Sequence, residues 1–89
     1  MFNAIIINPR DTVATVTTPI KKGEVIYYAS CKKAVTAGAN IPVYHKVAIQ
    51  KAKKGEKIYK YGEIIGYATE DIERGDHVHT HNLGSEKTD

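Results

Sequence analysis

The sequence predicts an all-β domain of short strands joined by glycine turns. Aliphatic and β-branched residues fall in short alternating runs, one glycine-centred turn pattern occurs three times, and no window supports an amphipathic helix of useful length. In chain order, the Ile-rich segment 2–8 reads as a strand that Asn8-Pro9-Arg10-Asp11 breaks, and residues 12–17 alternate as Thr-Val-Ala-Thr-Val-Thr. Residues 30–37 could make one or two helical turns, and residues 37–40 read as a loop before Ile41-Pro42. Residues 46–50 and 64–68 read as further strands, and the polar stretch 84–89 as a flexible tail after a single domain over 1–83.

The repeated pattern occupies residues 20–26, 52–58 and 72–78. Each copy has a small or aliphatic residue, two charged residues, Gly, an acid, any residue, and an aliphatic one. Glycine supplies the positive φ a tight turn needs, the charged pair faces water, and a strand follows. A fourth turn is expected at Tyr61-Gly62-Glu63, with Lys60 and Glu63 as a charged pair fixing the hairpin. Closely spaced turns of this kind suit a compact barrel-like or clip-like arrangement better than a sandwich of long strands.

Composition narrows the function. A chain of 89 residues forms one small domain with a modest core that a partner subunit would help to stabilise. No segment is long and apolar enough to span a bilayer, and the N-terminus lacks the features of a signal peptide, so the expected location is the cytoplasm. The lone Cys31 excludes a disulfide within the monomer and reads as an incidental or buried thiol. The net charge of +3 is spread through the chain among acidic residues, without a nucleic-acid-binding motif, so neither nucleic acid nor a membrane is an expected partner. A small anionic metabolite suits that charge. The tyrosines read as half-buried strand residues, some of them on a partner-facing surface.

The most distinctive run is Asp76-His77-Val78-His79-Thr80-His81-Asn82. On an extended strand, His77, His79 and His81 would share one face at intervals of roughly 6.5 Å. Their imidazoles could converge on one metal ion or one anion.

Several segments together resemble the SAF domain of the altronate and galactarate dehydratases. These are Asp11-Thr12-Val13-Ala14 with Ile20-Lys21-Lys22-Gly23-Glu24, then Ile41-Pro42-Val43-Tyr44-His45-Lys46-Val47-Ala48-Ile49, Lys54-Gly55-Glu56, Ile58-Tyr59-Lys60-Tyr61-Gly62-Glu63-Ile64-Ile65-Gly66 and the histidine run. The resemblance extends from about residue 7 to residue 83 and implies the β-clip fold of SAF domains. It also implies loss of water from a sugar acid or hydroxy acid to give a 2-keto-3-deoxy acid, a divalent metal, usually Fe(II), and a large catalytic subunit as partner. The sulfolactate-acting relatives share the arrangement, which leaves the substrate's acid group open. Self-association of the isolated chain is a further expectation.

Dehydration needs a base, a group that takes the leaving hydroxyl, and cations that hold the carboxylate as charge develops. His79 and His81 are the expected catalytic residues, as metal ligands or as proton-transfer groups. A metal held by these two needs further ligands from the large subunit. His45, Lys46 and Asn82 are the expected substrate-binding residues, with Asn82 alternatively orienting His81. His77 reads as peripheral. The competing reading is a non-catalytic SAF module for carbohydrate binding or assembly, which would not require the His-Thr-His-Asn run.

Overall fold

The computed structural model describes residues 3–28 and 33–85. Cys31 and the first part of the expected helical turns lie outside them. The described residues form an all-β domain of nine short strands: β1 Ala4–Ile5, β2 Val13–Val16, β3 Val25–Tyr28, β4 Lys33–Thr36, β5 Lys46–Ala48, β6 Lys57–Lys60, β7 Glu63–Ala68, β8 His77–Val78 and β9 Leu83–Gly84. None of them is helical, so no helix is long and apolar enough to cross a membrane.

A central antiparallel sheet has the order β1-β2-β5-β8, and strands β3-β4 and β6-β7-β9 form two smaller sheets. Strand alternation sends side chains of the central sheet into two separate cores. Ala14, Val16 and Val47 join Ile26, Tyr28, Val35 and Ile41 on one side. Val13, Ala48 and Val78 join Ile58, Ala68 and Ile72 on the other. The central sheet is therefore a middle layer, with the β3-β4 hairpin on one face and the β6-β7-β9 sheet on the other.

The repeated turn builds both excursions. Gly23, Gly55 and Gly75 all have φ of +93°. In each copy the acid's amide donates back three residues, from Glu24 to Lys21, Glu56 to Lys53 and Asp76 to Glu73. Its carboxylate accepts from the amide of that same earlier residue. This is a type II turn with glycine at the third position and a side-chain cap. After each of the first two turns a hairpin follows, and the chain returns through an antiparallel bridge, Ile20 to Ile41 and Ala52 to Ile72. The third turn feeds β8. The fourth lies where expected: Tyr61 and Gly62 both have positive φ, 58° and 77°, the two-residue hairpin turn that suits strand twist.

Four segments differ from expectation. Residues 33–36 form β4 because Val35 pairs with Ile26 and enters the first core, which overrides local helical preference. The N-terminal strand is confined to Ala4–Ile5, since residues 7–11 turn around the Asp11 carboxylate. The histidine run is not one strand: β8 ends at Val78, and the amides of Asn82 and Leu83 both donate to the His79 carbonyl, which closes a turn. Gly84, read from sequence as the start of the tail, pairs with Tyr67 in β9.

Candidate active site

Three histidines from two distant segments meet at one end of the central sheet. His45 arrives through the turn Pro42-Val43-Tyr44-His45, closed by the His45 amide on the Pro42 carbonyl at 3.0 Å. Tyr44, at φ of 67°, occupies the position that usually needs glycine and is 73% exposed. The ladder with β2 then fixes His45, whose carbonyl accepts the Val16 amide at 3.0 Å. His77 opens β8 and pairs with Val47, which places it on the face that His45 occupies two residues away. His79 follows β8 and curls back toward them.

His45 Nδ1 lies 2.9 Å from His77 Nε2, so one proton is shared between two rings. Ring centroids are 5.1 Å apart for His45–His77, 4.5 Å for His45–His79 and 5.7 Å for His77–His79, all stacked. One ring nitrogen from each of the three lies within 4.8 Å of the others, and all three side chains are half-buried. Desolvation pushes the His77 imidazolium pKa down, and the nearby His45, His81, His79 and Lys46 push it further. His79 shifts the same way, from desolvation and then His45, Lys46 and His81. Neutral imidazoles are the form that binds metal.

This donor set fits a divalent transition metal. Three imidazole nitrogens on an open surface match the pattern of three protein ligands with a free position, and imidazole suits iron, zinc, copper and nickel. His45, His77 and His79 would hold the ion.

The structure groups the residues marked by the sequence in its own way. His79 stands with His45 and His77, rather than with His81 as a ligand pair. His81 is exposed on the turn, its ring tilted 44° from that of His77 at 5.5 Å, and it is outside the three-histidine group. His77, expected to be peripheral, is central. Asn82 is 3% exposed and spends its amide on the backbone: Oδ1 accepts from the His79 amide and Nδ2 donates to the His77 carbonyl, both at 2.9 Å. Both bonds go to backbone groups, so the structure shows Asn82 in a supporting position beside the histidines. Asn82 clamps the turn that carries His77 and His79. Lys46 leaves β5 on the face opposite His45, yet its charge is felt by both His77 and His79. His45 and His77 could not be paired from sequence, since 32 residues separate them and only the β5-β8 register joins them.

The profile of the altronate/galactarate dehydratase SAF domain family matches residues 2–86. The chain belongs to that family. It is 47% identical over 53 residues to the (2R)-sulfolactate sulfo-lyase subunit alpha of Paracoccus pantotrophus, covering 60% of this chain and 79% of that subunit. It is 34% identical to the altronate dehydratase of Bacillus subtilis over all 89 residues, but spans only 18% of that protein. The altronate dehydratase of Escherichia coli is also 34% identical, over 83 residues, which are 93% of this chain and 16% of that enzyme. By their names these relatives are lyases and dehydratases, and the SAF domain is a small part of the longer ones.

Proposed function

We propose that this chain is the SAF component of a metal-dependent hydroxy-acid lyase of the altronate and galactarate dehydratase type. It works with a much larger catalytic subunit and eliminates water to leave a 2-keto-3-deoxy acid. The observation that carries the reading is the convergence of His45, His77 and His79 on an open edge of the domain. The SAF family match supports it, as does the small share of the altronate dehydratases that this chain covers.

The reaction removes a proton beside the carboxylate and expels the neighbouring hydroxyl as water, and the resulting enol becomes the keto acid. A divalent metal, Fe(II) in this reading, supplies Lewis-acid polarisation when bound. His45, His77 and His79 would hold that ion on the open edge of the domain. His81, exposed beside them, is available to take or return a proton. Lys46 adds positive charge where the acid end of the substrate would lie. Asn82 holds the backbone of the ligand-bearing turn in place.

Metal binding by the full chain tests this directly. Added Co(II) should give a visible absorption band, and His45→Ala, His77→Ala and His79→Ala should each weaken binding at least tenfold, while His81→Ala should not. Binding by the three single variants as tight as that of the parent chain would remove the triad as the site. Because burial and nearby cations lower the pKa of His77 and of His79 from 6.5, those two rings compete little with protons near neutral pH, and binding should fade only in more acidic solution. Loss of binding with a midpoint above pH 6.5 would contradict the depressed imidazole pKa values.

A further inference from the structure

Most of the described lysines stand in water, and two do so less fully. Among the described residues, Lys46 and Lys60 are the half-buried lysines, and the others are exposed. Neither has an acidic partner among the described residues. The end of β6 lies against β2, the neighbour of β5: the Thr12 amide donates to the Tyr59 carbonyl at 3.0 Å and the Tyr59 amide to Thr12 Oγ1 at 3.1 Å, which brings Lys60 to the side of the sheet that carries Lys46. Lys46 is half-buried on β5, with a second lysine facing the same seam and no ion pair formed by either among the described residues, although Glu63 stands across the β6-β7 hairpin from Lys60; an anion in the seam would relieve that arrangement.

The register shows what lies beside them. Ile5, Thr15, Lys46 and Val78 form one row across the four strands of the central sheet, on the face that packs toward β6-β7-β9. Directly paired residues on one face have Cβ atoms about 5 Å apart. Thr15 therefore stands next to Lys46, and its Oγ1 is buried without a hydrogen-bond partner. A buried hydroxyl with nothing to bond is uncommon and marks a place where a ligand or water completes the site. Lys60 ends β6 on the opposite side of the seam, with its Nζ 4.8 Å from the Tyr61 ring centroid.

We propose that Lys46, Lys60 and Thr15 form an oxyanion-binding subsite in the seam between the central sheet and the β6-β7-β9 sheet, bordering the histidine triad. The two ammonium groups neutralise a carboxylate, sulfonate or phosphate, and the Thr15 hydroxyl donates to one of its oxygens. Strand alternation puts this subsite on the face opposite His45 and His77, so the acid end of a ligand would be gripped across the sheet edge from the triad. The subsite extends the proposed function by assigning Thr15 and Lys60 to the acid group, and it rests on that reading only for the identity of the ligand.

The test is an amide-resolved NMR titration of the full chain with sodium sulfate, and separately with sodium acetate, with chloride balancing ionic strength. Saturable shifts are expected at Thr15, Lys46 and Lys60. Lys46→Met and Lys60→Met should each weaken binding about tenfold, Thr15→Val about threefold, and Lys46→Arg should retain it. Tighter sulfate binding would assign a tetrahedral acid group, and equal binding of acetate a carboxylate. Shifts that never saturate and spread over the exposed lysines, or unchanged affinity in both Met variants, would overturn the subsite. Lys46→Met removes a half-buried charge and should melt no earlier than the parent chain. Were it to unfold, Lys60→Met carries the same comparison. Zinc titration of the same samples separates the two ideas. No zinc-dependent shift at His45, His77 and His79 overturns the metal reading and leaves the sulfate result standing.

Discussion

Asp11 shows how a buried carboxylate can serve structure alone. It is 2% exposed, and its oxygens accept from the amides of Ile7, Asn8 and Gly62, which ties the N-terminal loop to the β6-β7 hairpin. Burial works against its charge, but the donors from Gly62, Asn8, Tyr61 and Ile7 outweigh it and hold the pKa below 3.8. A depressed carboxylate pKa stabilises the fold fully above 3.8, and that contribution drains away as pH falls below 3.8 toward the folded value. Asp11→Asn forces one NH2 against a backbone donor and should cost about 1–3 kcal/mol at neutral pH. Thermal melts from pH 6 to 2 should show the variant and parent converging at the acid end. A constant gap between them would refute the titration. Asn82 is the second buried polar side chain, and its two bonds link the segments that carry His77 and His79. Asn82→Ala leaves a carbonyl and an amide unpaired, so metal affinity should fall about tenfold, as for other supporting partners of metal ligands. A variant that binds Co(II) as tightly as the parent would show that the turn keeps its shape unaided.

At the scale of the element, the repeated turn is the clearest case of a local rule with unequal consequences. Gly23, Gly55 and Gly75 share one φ, but a Cβ on Gly23 or Gly55 meets nothing within 4 Å, whereas on Gly75 it would stand 2.2 Å from the Thr36 carbonyl oxygen. Gly23→Ala should therefore cost only the conformational penalty, about 1–2 kcal/mol. Gly75→Ala must also push β4 away from the turn, and should cost clearly more, about 3 kcal/mol or above. Urea melts of the two variants decide the matter, and equal losses would mean that the contact at Gly75 relaxes freely. Sequence showed the turns because glycine and the acid carry their own geometry. It did not show that the strand containing His77 stops after two residues, because the Asn82 clamp is what ends it. It also misjudged residues 33–36, where helical preference yields to a partner strand.

For the whole molecule, a three-layer arrangement with two small cores leaves one edge where the triad, His81 and the lysine seam meet. The chain spans 79% of the sulfo-lyase subunit alpha but less than a fifth of either altronate dehydratase, so those longer relatives contain much that this chain does not. A shallow, half-exposed triad has too little around it to exclude water from a reacting hydroxy acid, and a second protein surface would supply that enclosure. On the proposed function, the chain alone should show no dehydratase turnover, and activity should appear on mixing with the proposed large subunit, measured as keto acid formed. Turnover by the 89-residue chain by itself would end the proposed division of labour.

The residues alone determined the all-β class, the three repeated turns, the Tyr61-Gly62 hairpin and the SAF family, because each is written in neighbours a few positions apart. They also marked His79, His45 and Lys46 as chemically notable. Which of these stand together was decided only in three dimensions. Register between β5 and β8 joins His45 to His77, alternation sends Lys46 through to the other face, and a buried Asn82 bends the chain so that His79 turns inward while His81 remains in water. Pairing across a sheet depends on strands that lie far apart in the chain, and no local pattern records it.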